Sequence, residues 1–219
     1  MCRDTFVDQM IQCMLNADRE AAQKVVDRAL SGGVSRSEVL TRILDKAMHE
    51  MGEGWHRNDF SLAQTFVAAK IAEDTLMRCM PEKTGEGENK KKGVVVIGNI
   101  EDDFHSLGRR IVGAFLRSLE WEVIDLGNDV LAEDFLEQAK THQAKLIGVS
   151  AMMRSTALNI RKLRDLIDRQ GLKSQIRLAV GGAAFNWQPE LVNEVGGDGT
   201  SNSAFGADDL FTRLKKDLT

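Results

Sequence analysis

Residues 94–108 read VVVIGNIEDDFHSLG. Four β-branched residues in a row, with no polar alternation, describe a strand buried on both faces, as in a parallel sheet covered by crossover helices. Three similar runs follow: Val123-Ile124-Asp125-Leu126, Leu146-Ile147-Gly148-Val149 and Ile176-Arg177-Leu178-Ala179-Val180. The runs start at 94, 123, 146 and 176, at spacings of 29, 23 and 30 residues. Helical stretches over 107–119, 131–140 and 158–169 fill the intervals, which is the rhythm of βαβ units with right-handed crossovers. A weak fifth strand near 198–201 and a helix over 208–218 complete five βα repeats. That count predicts a flavodoxin-like (Rossmann-like) five-stranded parallel sheet of order 2-1-3-4-5.

Upstream the apolar period lengthens to 3.6. Phe6, Val7, Met10, Ile11, Met14 and Leu15 form one stripe; Ala21, Ala22, Val25, Val26, Ala29 and Leu30 form a second, ended by Gly32-Gly33. Val39, Leu40, Ile43, Leu44, Ala47, Met48 and Met51 mark a third helix, opened by Ser35 or Ser37 and broken by Gly52 and Gly54. A fourth, over 61–80, carries Leu62, Phe66, Val67, Ile71 and Leu76. Four such helices suit an antiparallel bundle. Between the two regions PEKTGEGENKKK, residues 81–92, has no large apolar residue and reads as a solvated linker. The expected organisation is therefore α + α/β: a four-helix bundle cap over 1–80, a linker over 81–92 and the Rossmann-like domain over 93–219.

A chain of 219 residues accommodates two such domains, and 42% hydrophobic with 28% charged residues is ordinary for a globular protein. The net charge of −4, with no basic block, argues against nucleic acid as partner. No apolar run reaches membrane-spanning length, and MCRDTFVDQM lacks the apolar core of a signal peptide. Cys2, Cys13 and Cys79 show no metal-binding or disulfide spacing and read as reduced thiols, so a cytoplasmic location is expected.

Ligands of such sheets meet the carboxyl ends of the strands. After the first strand comes Asn99-Ile100-Glu101-Asp102-Asp103-Phe104-His105-Ser106-Leu107-Gly108; after the third, Ser150-Ala151-Met152-Met153-Arg154-Ser155-Thr156; after the fourth, Gly181-Gly182. Neither G-x-G-x-x-G nor a P-loop occurs. A phosphoreceiver needs a carboxylate after the third strand, where this chain has Ser150. His105 remains. A lone loop histidine is ordinarily solvated or structurally hydrogen-bonded, but Asp103 can orient one ring nitrogen and free the other for a metal. Gly108, Gly181 and Gly182 leave room for a bulky ligand, and Ser150 and Thr156 add hydroxyls. With His49, His56, His105 and His142 the only histidines, a multi-histidine zinc or iron site is unsupported. A metal taking a single protein ligand must bring its other ligands with it, in a macrocycle.

Asp103-Phe104-His105-Ser106-Leu107-Gly108 resembles the D-x-H-x-x-G signature of cobalamin-binding domains. Ser150-Ala151-Met152 is similar to that family's S-x-L, and Gly181-Gly182 to its G-G. The helical region, with Gly52-Glu53-Gly54-Trp55 and Gln64, resembles the cap of methionine synthase and of the corrinoid proteins in methanol, methylamine and methoxyaromatic methyltransferase systems. The resemblance spans about residues 18–218. Asp102 stands where the family has glycine, Phe104 where it has a smaller aliphatic residue, Arg109-Arg110 where Lys-Asn is common, and Gly199-Thr200-Ser201 where an aromatic residue is frequent.

The resemblance implies cobalamin bound base-off with His105 on cobalt. The nucleotide tail would run past Gly108, Ser150, Gly181 and Gly182, with Asp103 and Thr156 relaying behind the imidazole. Phe104, Ser106, Leu107, Met152, Trp55 and Gln64 complete the implied cofactor-contacting set, with Trp55, Phe60, Leu62 and Phe66 read equally well as bundle core. The implied role is a carrier, non-catalytic alone, shuttling a methyl group through Co(I) and methyl-Co(III). Its implied partners are a substrate methyltransferase, a methyl-acceptor methyltransferase and a reductive activase. A cobalamin-dependent sensor is the rival. Trp55-His56-Arg57 resembles the sensor cap, but Thr65-Phe66 stands where sensors have Glu-His. The cobalamin subunit of an adenosylcobalamin mutase is a further alternative, although that subunit usually lacks a helical cap.

Overall fold

The computed structural model describes residues 3–57, 59–79 and 91–218. The chain divides into two compact units, Met1–Thr84 and Gly85–Thr219. Most of the expected linker, 81–90, lies outside the described residues, as does Cys2.

Among the described residues the first unit has four helical rods. Helix α1 spans Arg3–Leu15 and α2 spans Arg19–Ser31, the latter capped by Asp18, whose carboxylate accepts from the Ala21 amide at 2.9 Å. The third rod begins at α3, Arg36–Glu38, where Ser35 and Glu38 form a reciprocal capping box. It continues through a π-helical stretch, Val39–Leu44, into α4, Asp45–His56. Helix α5 spans Leu62–Cys79. The core is contributed by all four rods, including Met10, Met14, Val25, Ile43, Leu44, Ile71 and Leu76.

Two sequence expectations are corrected here. Gly52 and Gly54 do not end the third helix, which continues to His56. A Cβ on Gly54 would lie 2.0 Å from the Phe60 ring, so this glycine makes room for an aromatic side chain. Leu62 and Phe66 do not join the core stripe of α5: they are 74% and 63% exposed, whereas Ala68, Ile71, Ala72, Thr75, Leu76 and Cys79 are buried.

The second unit alternates strands and helices: β1 Gly93–Asn99, α6 Ser106–Ser118, β2 Trp121–Asp125, α7 Ala132–Thr141, β3 Leu146–Ser150, α8 Arg154–Ala157, α9 Ile160–Arg169, β4 Arg177–Gly181, α10 Ala183–Trp187, α11 Leu191–Glu194 and α12 Ala207–Lys216. All strand pairs are parallel, in the order β2-β1-β3-β4. Alternation along β1 and on into Ile100 just beyond it sends Val96 and Ile100 to one face, with Phe135 and Leu136 of α7 and Ile160, Leu163 and Ile167 of α9. Val95 and Ile97 face the other way, onto Leu116 of α6 and Leu210, Phe211 and Leu214 of α12.

Among the described residues the sheet has four strands, not the expected five. Residues 198–201 touch β4 through one bridge, Ala179 to Gly199. The Asp198 carboxylate accepts from the Leu178 amide at 2.6 Å, occupying a donor that a fifth strand's carbonyl would have used. The short helices α10 and α11, absent from the sequence reading, fill the path from β4 to that bridge.

Candidate functional site

The sheet register brings the expected residues together. Asn99 of β1 pairs with Ser150 of β3, which pairs with Gly181 of β4, so the three stand abreast at the carboxyl edge. Beyond β1 the chain turns sharply. Asp102 adopts φ +68°, a left-handed conformation that favours glycine but that Asp tolerates. Its amide donates to Asp129 Oδ1 at 2.8 Å, and the Asp129 amide donates to the Asp103 carbonyl at 3.1 Å.

This turn buries Asp103 completely. Its Oδ1 accepts from Asn99 Nδ2 and from the His105 amide, each at 2.9 Å, and lies 3.3 Å from His105 Nδ1. Its Oδ2 accepts from the Met152 amide at 2.6 Å and lies 3.1 Å from Thr156 Oγ1. The Thr156 hydroxyl is also 2.9 Å from the Met153 carbonyl, so it divides one proton between two acceptors. Burial alone pushes the Asp103 carboxyl up. The hydrogen bonds from Met152, His105, Asn99 and Thr156 together outweigh it, and the carboxyl sits below the usual range.

A carboxylate so fully supplied with donors stays ionised and orients the imidazole beside it. His105 occupies the N-cap position of α6 with its side chain 57% exposed. Since Nδ1 faces Asp103, the lone pair available for a metal is on Nε2. Among the described residues no group of three or more His, Cys, Asp or Glu could hold a metal ion.

The surroundings fit a large, partly apolar cofactor. A Cβ built on Gly108 or Gly181 meets nothing within 4 Å, leaving open space beside both. Gly182 differs. With φ +103° its Cβ would lie 2.3 Å from the Ala151 carbonyl, so that glycine permits two loops to touch. The exposed large apolar side chains of this unit are Phe104, Leu131, Met153 and Trp187, each in the segment that follows a different strand.

Ser106, Leu107 and Gly108 form the first turn of α6, and Met152 contributes its amide to Asp103. In the helical unit, Gln64 caps α5: its Oε1 accepts from Ser61 N and Oγ, both at 2.8 Å, and its Nε2 donates to the Leu15 carbonyl at 2.7 Å. The Trp55 side chain lies outside the described residues. Sequence reasoning passed over Asn99 and Arg109. An asparagine closing a buried strand, with an arginine in the next helix, was the available signal.

Residues 93–207 match the family model described as B12 binding domain, and residues 7–79 match a second model of the same description. The chain belongs to the B12-binding family. As a B12-binding chain it takes a cobalt corrinoid as cofactor. It is 31% identical to trimethylamine corrinoid protein 1 of Methanosarcina acetivorans, over 92% of this chain and 93% of that protein. The monomethylamine corrinoid protein of Methanosarcina barkeri superposes with a TM-score of 0.82 at 25% identity, covering 97% of this chain and 100% of the other. The fold recurs in the methanol:cobalamin methyltransferase complex of Methanosarcina barkeri, at 22% identity and TM-score 0.52, covering 99% of this chain and 85% of that one.

Proposed function

We propose that this protein is a corrinoid carrier, passing a methyl group between partner methyltransferases and non-catalytic by itself. The observation carrying this reading is the His105–Asp103 pair at the sheet edge, its carboxylate saturated by donors and its Nε2 left for cobalt. His105 is the proposed lower axial ligand of cobalamin bound base-off. Gly108, Ser150 and Gly181 border the slot for the nucleotide tail, with the Ser150 hydroxyl to meet the displaced benzimidazole. When bound, the corrinoid supplies the cobalt centre that accepts and releases the methyl group. The chain's residues do the rest. Asp103 holds the Nδ1 proton in place, Thr156 and the Met152 amide hold Asp103, and Phe104 and Met153 offer apolar contact at the rim.

The corrinoid protein names of the relatives support a methyltransferase partner. A second methyltransferase for the acceptor, a reductive activase and a cytoplasmic location complete the proposal. Among the described residues no helix is long and apolar enough to cross a membrane. The working organisation is a helical domain over 1–80 and a cobalamin domain over 93–219, joined by 81–92.

The test is reconstitution with hydroxocobalamin, reduction to Co(II) and EPR. Wild type is expected to show nitrogen superhyperfine splitting that His105→Ala abolishes. Identical splitting in both proteins, or wild type that desalts without colour, overturns the reading.

A further inference from the structure

Two side chains stand directly behind the His105–Asp103 pair. Asn99, the last residue of β1, is fully buried. Its Nδ2 donates one hydrogen to Asp103 Oδ1 at 2.9 Å and the other to the His105 main-chain oxygen at 3.1 Å. Its Oδ1 accepts from Arg109 Nε at 2.8 Å. Arg109, also buried, is anchored in turn: Nη1 pairs with Asp125 at the end of β2, and Nη2 reaches Asn128 Oδ1 at 3.2 Å.

A side-chain amide has two ends of nearly equal shape and opposite polarity. Here a guanidinium, which can only donate, faces the oxygen end. The amide nitrogen is therefore always directed at the carboxylate and the carbonyl it bridges. Turning it over would set N–H against N–H and oxygen against carboxylate. One residue thus grips both the side chain of 103 and the backbone of 105, in the geometry that points His105 Nε2 outward.

We propose that Asn99 and Arg109 are positioning residues for the axial imidazole, holding the Asp103–His105 pair in ligating geometry before the corrinoid arrives. This rests on the reading of His105 as the cobalt ligand. The clamp reaches from β1 to the end of β2, so the ligand loop is tied to the sheet instead of hanging from it. An exposed imidazole without that tie would sample other rotamers, and part of the bound corrinoid would lack the histidine.

The test uses the full chain as wild type, Asn99→Ala and Arg109→Lys, with hydroxocobalamin as probe. Three readouts are taken: affinity by absorbance, nitrogen splitting in the Co(II) EPR spectrum at saturation, and the His105 tautomer in the cofactor-free protein by long-range proton–nitrogen NMR. Asn99→Ala is expected to weaken binding by about tenfold or more. Its saturated spectrum should mix species with and without nitrogen splitting, and His105 should pass from the Nδ1–H form to a mixture. Arg109→Lys keeps a cation for Asp125 but loses the Nε–H, and should shift all three readouts in the same direction by less.

A fall in melting temperature with affinity, splitting and tautomer unchanged would reduce the clamp to a structural role and overturn the proposal. If Asn99→Ala does not fold, Arg109→Lys decides by the same criteria. Wild type that fails to retain cobalamin, or splitting that survives His105→Ala, would instead overturn the underlying assignment of the ligand.

Discussion

Neighbouring glycines at the sheet edge carry different burdens. Gly181 closes β4 with open space where a side chain would go, whereas Gly182 presses against the Ala151 backbone with φ +103°. Gly181→Ala is expected to fold with an unchanged melting temperature while binding cobalamin more weakly, because its methyl group would enter the proposed slot. Gly182→Ala combines backbone strain with a clash and should lose about 2–3 kcal/mol of stability. Chemical denaturation and a cobalamin titration on both variants check the pair. A reversal of the two effects would mean that the slot runs elsewhere. The sequence places both glycines at the edge, yet only the backbone angles tell them apart.

At the scale of elements, α5 separates periodicity from burial. Its sequence offers Leu62, Phe66, Ile71 and Leu76 as one apolar series, but the first turns carry their large side chains outward. Ile71 is 1% exposed in the bundle core. Ile71→Ala is expected to destabilise the helical unit by about 2–5 kcal/mol, since both transfer energy and a cavity are involved. Leu62→Ala and Phe66→Ala should each change stability by no more than about 0.5 kcal/mol. Urea unfolding followed by circular dichroism measures all three. The same gap between pattern and packing explains the third rod, where glycine at 54 serves the Phe60 ring while the helix runs on. It also explains the missing fifth strand, where a carboxylate, Asp198, competes for a ladder amide.

Across the whole molecule, the α/β unit is fastened at the amino end of its sheet by Asp208. Its carboxylate accepts from Lys92 Nζ at 2.9 and 3.0 Å and from Trp121 Nε1 at 2.7 Å, linking the starts of β1 and β2 to α12. Burial pushes this carboxyl up, but the hydrogen bonds from Lys92 and Trp121 and the lysine charge carry it below the ordinary value. A carboxyl with a lowered folded-state pKa favours the folded state whenever pH exceeds the unfolded-state value, about 3.9. That contribution fades as pH falls below about 3.9 and is gone once pH passes under the folded-state value. Melting temperatures between pH 2 and 7 should therefore drop at the acid end less steeply in Asp208→Asn than in wild type, with Asp208→Asn less stable at pH 7. Equal acid slopes would show that other carboxyls dominate.

By itself the sequence determined the class of both units, the parallel sheet and the Asp103–His105 pair, because these follow from short-range pattern: a run of β-branched residues, a 3.6-residue period, two side chains two positions apart. Only the tertiary structure decided that the turn after β3 lends the Met152 amide to Asp103, and that Asn99 and Arg109 stand behind it. The Met152 amide lies 49 residues along the chain from the carboxylate it serves. Hydrogen-bond geometry at that separation is set by strand register and helix docking, which no local stretch of chain encodes.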